Sequence, residues 1–217
     1  MSQENKKYLV EIHDKVCGCI LDGDLNHNRK PQGLVEVYEL DENNEKQLIG
    51  KSNLVVYLGR ESILQRSLDY QNSHITPTKD EFICWFGIGD GGSNPSDPFD
   101  PIPPTNNDID LNNEVPISAT DTTCADFHDG FYWKHPFDSI NYIQDSENDN
   151  SWIISVLSII LSPAQAVGEQ INEAGLFMAE SRAPGYGGPF HLYARVTFPT
   201  MVKSGLRSLL FVWYLYF

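Results

Sequence analysis

The stretch SLLFVWYLYF, residues 208 to 217, constrains this chain more than any other. Successive side chains of an extended strand point to opposite faces. Leu209, Phe211, Trp213, Leu215 and Phe217 therefore share one face, and Leu210, Val212, Tyr214 and Tyr216 share the other. Both faces are apolar or amphipathic. Such a strand belongs inside a sheet, covered on both sides by its own domain or by a neighbouring subunit. Left bare, it would be a template for aggregation.

The runs before it have the same character. SWIISVLSIIL, INEAGLFMA and FHLYARVTFP read as strands, separated by Pro163, the APGYGGP loop at 183 to 189, and Pro199. Several strands at this spacing, without alternating helices, predict a mainly β fold, an antiparallel β-sandwich or jelly-roll-like sheet. Earlier in the chain, GLVEVYEL and QLIGKSNLVVYLG flank the polar DENNEK, which reads as a hairpin with Val35 and Val37 on one face and Leu34, Glu36 and Tyr38 on the other. In GRESILQRSLDY, residues 59 to 70, Ile63, Leu64 and Leu68 recur at helical spacing and predict one short helix. A strand from Phe82 to Ile88 follows, ended by Gly89, Gly91 and Gly92.

Residues 93 to 150 differ in composition. Pro95, Pro98, Pro101, Pro103, Pro104 and Pro116 lie among Asp and Asn, so a long proline-rich insertion with few ladder hydrogen bonds is expected. Connections of this length inside a domain are commonly functional or disordered. The aromatic residues Phe127, Phe131, Tyr132, Trp133 and Phe137 argue against full disorder, because they need burial in the domain or in a partner. The organisation that follows is an N-terminal arm over 1 to 31 and a β-rich domain over 32 to 217 that carries the insertion loop 93 to 150.

Charge narrows the partners. Fifteen basic against thirty acidic side chains give a formal net charge of -15, which opposes binding to a phosphate backbone or an anionic membrane. The start MSQENKKYLVEIHDKV has no apolar h-region, and no apolar run reaches the roughly 20 residues of a membrane helix, so synthesis in a cytoplasm is expected. Cys17, Cys19, Cys84 and Cys124 read as unpaired, mostly buried thiols, and CGC is not a CxxC motif.

No catalytic constellation is legible. There is no GxSxG, and GIGDGGSNP has prolines where a dinucleotide-binding helix would start. Asp22, Asp24 and Asn26 imitate a calcium loop but lack its Gly and Glu. Strand alternation would put Cys124, Asp126 and His128 on one face, with His135 beyond; in an acidic loop this reads as ordinary polar surface. Neither a metal nor a cofactor is expected, and the chain does not read as an enzyme. Trp85, Trp152 and Trp213 sit in apolar strand text and read as core, whereas Trp133 lies in the insertion.

The ordered series GLVEVYEL, NLVVYLGRESILQRSL, FICWFGIGDGG, PISATD, INEAGLFMA and LYARVTFPTMVKSGLRSLLFVWYLYF resembles virion structural proteins of tailed bacteriophages. It is similar to baseplate wedge or related tail proteins of contractile-tailed phages. The resemblance covers most of residues 33 to 217 and is most specific at INEAGLF, 171 to 177, and from ARVTFP to the terminal WYLYF. It implies a β-sandwich-like virion subunit, synthesised in the bacterial host cytoplasm, whose partners are copies of itself and other tail or baseplate proteins. It carries over no catalytic residues. A carbohydrate- or receptor-binding module using Tyr132 and Trp133 is one alternative, and a neck or fibre-attachment protein is another.

Four residues of the motif have structural expectations. Asn172 is placed to bond the local backbone, Glu173 leads into a strand, Gly175 permits a bulge or close backbone approach, and Arg195, inside an apolar strand, calls for a carboxylate such as Glu173.

Overall fold

The computed structural model describes residues 32–41, 43, 45–52, 54–55, 59, 80–144 and 153–216. Pro31–Phe217 forms one compact unit. The arm, the short helix expected over 59 to 70, the pseudo-calcium loop and Trp152 lie outside the described residues, with Gly59 alone of the helix described.

The fold is mainly β, with antiparallel sheets packed together. One sheet contains β1 (Gln32–Leu40), β2 (Lys46–Ser52), β9 (Ser139–Gln144), β10 (Ile153–Leu161) and β13 (Ser208–Tyr216) in the order β2-β1-β13-β10-β9. The other contains β3 (Leu54–Val55), β4 (Phe82–Gly89), β7 (Ala125–His128), β8 (Phe131–Pro136), β11 (Gln170–Ala179) and β12 (His191–Val202) in the order β3-β12-β11-β4-β8-β7. A two-stranded ribbon, β5 (Ser93–Asn94) with β6 (Asp97–Pro101), forms a separate small sheet beside β12, where the Ser93 hydroxyl donates to Phe198 O at 3.2 Å.

The two-faced strand β13 is the central strand of the first sheet. Trp213 pairs with Val35 on one side and Leu157 on the other, and Phe211 with Val37 and Ile159. Leu209, Phe211, Trp213 and Leu215 enter the main core, where they meet Phe86, Ile88, Ala174, Leu176, Met178, Ala194, Val196 and Phe198 of the second sheet. Leu210, Val212 and Tyr214, on the opposite face, are buried as well. That face also buries Glu36, whose carboxylate accepts a 2.7 Å bond from the Tyr38 hydroxyl. Neighbouring β1 likewise buries residues of both its faces, Val35 and Val37 on one and Glu36 on the other.

The hairpin forms where expected, with one difference in its second run. Its turn is closed by Asp41, whose Oδ1 accepts from the amides of Asn43 and Glu45 at 2.8 Å each. Its second run does not stay in one sheet: β2 pairs with β1, whereas β3 joins β12 in the opposite sheet.

The segment expected to be a long loop is largely built into the sandwich. Five strands, β5 to β9, lie within 93 to 144, and Ile102 and Val115 donate to the carbonyls of Gly92 and Ile88 at 2.8 and 3.0 Å. Proline does not prevent this, because the prolines fall in a turn, in irregular segments, in the small ribbon or at a strand end. The β7–β8 turn is Asp129-Gly130, with φ of 53° and 84°. Two left-handed residues are what a tight two-residue hairpin matched to strand twist requires. From β8 the chain crosses to the first sheet through Phe137 and Asp138, and β9 begins.

Candidate functional site

Among the described residues, three clusters hold the side chains that the sequence singled out. The first is buried on the outer face of the second sheet. Strand alternation puts Ala174, Leu176 and Met178 of β11 in the core, so Glu173 points the other way, as does Arg195 on the adjacent β12. Arg195 Nε and Nη2 donate to Glu173 Oε2 at 2.8 and 2.5 Å, and Nη1 donates to Asp108 Oδ2 at 2.7 Å. The amides of Gly91 and Asn113 donate to Glu173 Oε1, and that of Asn112 to Oε2, at 3.0 to 3.2 Å. Burial alone would raise the Asp108 carboxyl, but hydrogen bonds from Thr105 and Arg195 outweigh it and hold that group below the usual carboxylate range.

Asn172 extends the cluster in a way its sequence context did not indicate. Its partners are distant rather than local: Oδ1 accepts from Gly92 N at 2.5 Å, while Nδ2 donates to Asp90 O at 2.8 Å and Thr200 Oγ1 at 3.0 Å. Gly175 sits in regular register opposite Arg195 and Gly87, so it serves close approach and not a bulge: a Cβ there would meet Leu192 Cδ1 at 2.8 Å. These groups satisfy one another and clamp the 90–92 turn and the 108–113 segment onto the sheet. Gly92 and Gly89 are both tight points of the clamp: a Cβ would lie 2.4 Å from the Asn172 carbonyl oxygen at Gly92 and 2.4 Å from the Asn113 carbonyl oxygen at Gly89. Gly92→Ala is expected to destabilise the protein by about 1 to 3 kcal/mol through overpacking, measured by urea unfolding; an unchanged midpoint would show that the turn moves freely.

The second cluster is the β7–β8 hairpin at the margin of the second sheet. The five aromatics singled out in the sequence divide here. Tyr132 and Phe137 pack against the main core, whereas Phe127 and Phe131 stay 55% and 41% exposed. Phe127 leans on Tyr132, with ring centroids 4.7 Å apart. Trp133 is half-buried; the His128 ring stacks on one of its faces at 4.7 Å and 5°, and its Nε1 donates to His128 O at 3.3 Å. One face of the indole is therefore already taken. Beneath the hairpin Lys134 is buried against Glu114, which its ammonium bonds at 2.5 and 2.6 Å, and over the Phe177 ring at 4.3 Å.

The third cluster corrects the polar-surface reading of Cys124 and His135. Cys124 does not share a strand face with Asp126 and His128: it precedes β7, is wholly buried and packs in the main core. His128 turns instead to Asp126, 3.3 Å away. Cys124 meets Asp121 and His135, with one ligand-type atom of each within 4.8 Å of the others. A tight turn brings Asp121 and Cys124 together: Cys124 N donates to Asp121 O at 3.1 Å, and Asp121 Oδ1 accepts from Thr123 N and Oγ1 at 3.1 and 2.6 Å. Burial, and then the Asp121 charge, push the Cys124 thiol up to about 12. A thiol held that high is a poor nucleophile. The spacing D-x-x-C was visible in DTTC, but it is a turn pattern, and period-2 alternation passes over it.

Cys84 and Cys124 are buried without a disulfide, and no helix among the described residues is long and apolar enough to cross a membrane. Comparison with protein-family models, with curated proteins and with solved structures finds no match to this chain.

Proposed function

We propose that this chain is a structural subunit of a bacteriophage tail or baseplate that acts by assembling with copies of itself and with other virion proteins. The observation that carries the assembly reading is the β7–β8 hairpin, which holds Phe127 and Phe131 outward at a sheet margin and is anchored by buried Lys134 paired with Glu114. Exposed aromatics on a well-anchored edge hairpin fit the centre of a protein interface. The phage setting rests on the sequence resemblance through INEAGLF and ARVTFP to WYLYF. A sugar-binding role for Trp133 is the weaker reading, since His128 covers one of the two ring faces on which a sugar would stack.

Light scattering coupled to size-exclusion chromatography tests the assembly. The parent should run as an oligomer. Phe127→Asp with Phe131→Asp should run as a monomer whose melting temperature stays near the parent's, because substitutions at exposed sites change stability by only about 0.5 kcal/mol. A monomeric parent, or an oligomer indifferent to both changes, would remove the hairpin as self-association surface. Peptides of the chain in purified tail particles support the virion setting, and their absence from such particles contradicts it.

A further inference from the structure

We propose that Asp121, Cys124 and His135 form a binding site for one zinc-class divalent cation that ties the 118–125 turn to strand β8. Three different donors, a carboxylate, a sulfur and an imidazole, converge from two parts of the chain, with one ligand-type atom of each within 4.8 Å of the others. Sulfur and imidazole together select a borderline-soft ion over magnesium or calcium. Bonds of about 2.0 to 2.3 Å place tetrahedral ligands roughly 3.5 Å apart. Small side-chain rotations close that difference.

The surroundings orient two of the three donors, His135 and Asp121, as metal ligands are oriented. His135 Nδ1 lies 2.6 Å from the Pro136 carbonyl, which fixes the ring by a backbone acceptor and leaves Nε2 as the nitrogen to offer. Both Asp121 oxygens are held from outside: Oδ1 by Thr123, and Oδ2 by Gln165 Nε2 at 2.8 Å. Gln165 is itself fixed, since its Oε1 accepts from Ser162 N at 2.8 Å. Cys124 and His135 are buried and Asp121 is half-buried, so Asp121 marks the solvent side. On binding, the Cys124 thiol proton leaves to solvent as the sulfur–metal bond forms, with no change of oxidation state. Three protein ligands leave a fourth position for water.

The ion would close a link between the turn before β7 and the end of β8, just before the chain crosses to the first sheet at Phe137 and Asp138. That link stiffens the base of the β7–β8 hairpin. It does not depend on the phage reading.

The test uses the full chain, stripped with chelator and titrated with Co²⁺ and Zn²⁺. Six histidines and four cysteines are present in all, so the comparison of variants decides, not the stoichiometry of the parent alone. The parent should bind one cobalt with a thiolate-to-metal charge-transfer band, and zinc should displace it and raise the melting temperature. Cys124→Ser, nearly isosteric, should lose the band and the zinc-dependent rise. His135→Gln and Asp121→Asn should weaken zinc by more than the roughly 100-fold that an outer-shell change can cost, and Gln165→Ala by about 10-fold. Absence of the band in a folded parent, or a band and affinity unchanged in Cys124→Ser and His135→Gln, would overturn the proposal and leave a hydrogen-bonded trio only.

Discussion

Arg195→Glu is expected to yield insoluble or unfolded protein. The guanidinium is buried, forks onto Glu173 and reaches Asp108. Removing one partner of a buried pair costs about 3 to 5 kcal/mol, because the remaining charge is left unmatched. Reversal adds a third carboxylate beside Glu173 and Asp108, so the loss should exceed that range. Domain stabilities are only about 5 to 15 kcal/mol in total. Arg195→Lys keeps the charge but not the fork, and should fold with an intermediate melting temperature. A soluble Arg195→Glu protein with the parent's melting curve would show that the clamp contributes little.

The same cluster predicts a sign for acid. The folded-state pKa of Asp108 lies below its ordinary value, so its contribution is present above the unfolded pKa, near 3.9, and is lost as pH falls through the folded value. Asp108→Asn should therefore flatten the acid limb of stability below about pH 4 while lowering stability at neutral pH.

The second large effect is expected at Trp213. This side chain is wholly buried in the middle of the central strand and meets Phe86 edge to face, with ring centroids 6.5 Å apart and planes at 73°. Trp213→Ala should cost about 3 to 5 kcal/mol, the transfer term plus the cavity it leaves. Its Nε1 is buried with no hydrogen-bond partner among the described residues, so on that geometry Trp213→Phe sacrifices ring volume and no bond. That variant should cost about 1 to 2 kcal/mol in urea unfolding. If phenylalanine is as damaging as alanine, the indole nitrogen has a partner after all.

The elements were legible where side-chain period is strong. β4, β10, β11, β12 and β13 lie where FICWFGIG, IISVLSIIL, INEAGLFMA, HLYARVTF and SLLFVWYLY place them, because alternation and β-branched or aromatic content are local properties. Legibility failed in the middle of the chain. Prolines and Asx residues suggested an unpaired loop, yet short strands form there, and the segment is tied to neighbours distant in sequence: Phe86 of β4 pairs with His135 of β8, and the Asn113 carbonyl accepts from Asp90 N at 2.9 Å. Periodicity cannot report a two- to six-residue strand whose reason to exist lies elsewhere. The candidate sites divide the same way. A buried Arg195 demanded a carboxylate, and Glu173 is that carboxylate, while Asp108 and two of the three backbone donors, Asn112 and Asn113, come from a segment with no readable period, the third being Gly91 in the turn after β4.

By itself, the sequence determined that this is a β protein with a central strand needing cover on both faces, since nine consecutive apolar or aromatic residues admit no solvent-facing side. It also determined that Arg195 would be paired, because an unmatched buried cation is too costly to keep. Tertiary structure alone decided which aromatics are core and which are surface, separating Tyr132 and Phe137 from Phe127 and Phe131 along one hairpin and its exit. It alone brought Asp121 and Cys124 to His135. Those outcomes depend on strand order and register across the sandwich, which are set by the summed packing of two sheets and not by the residues adjacent to each site.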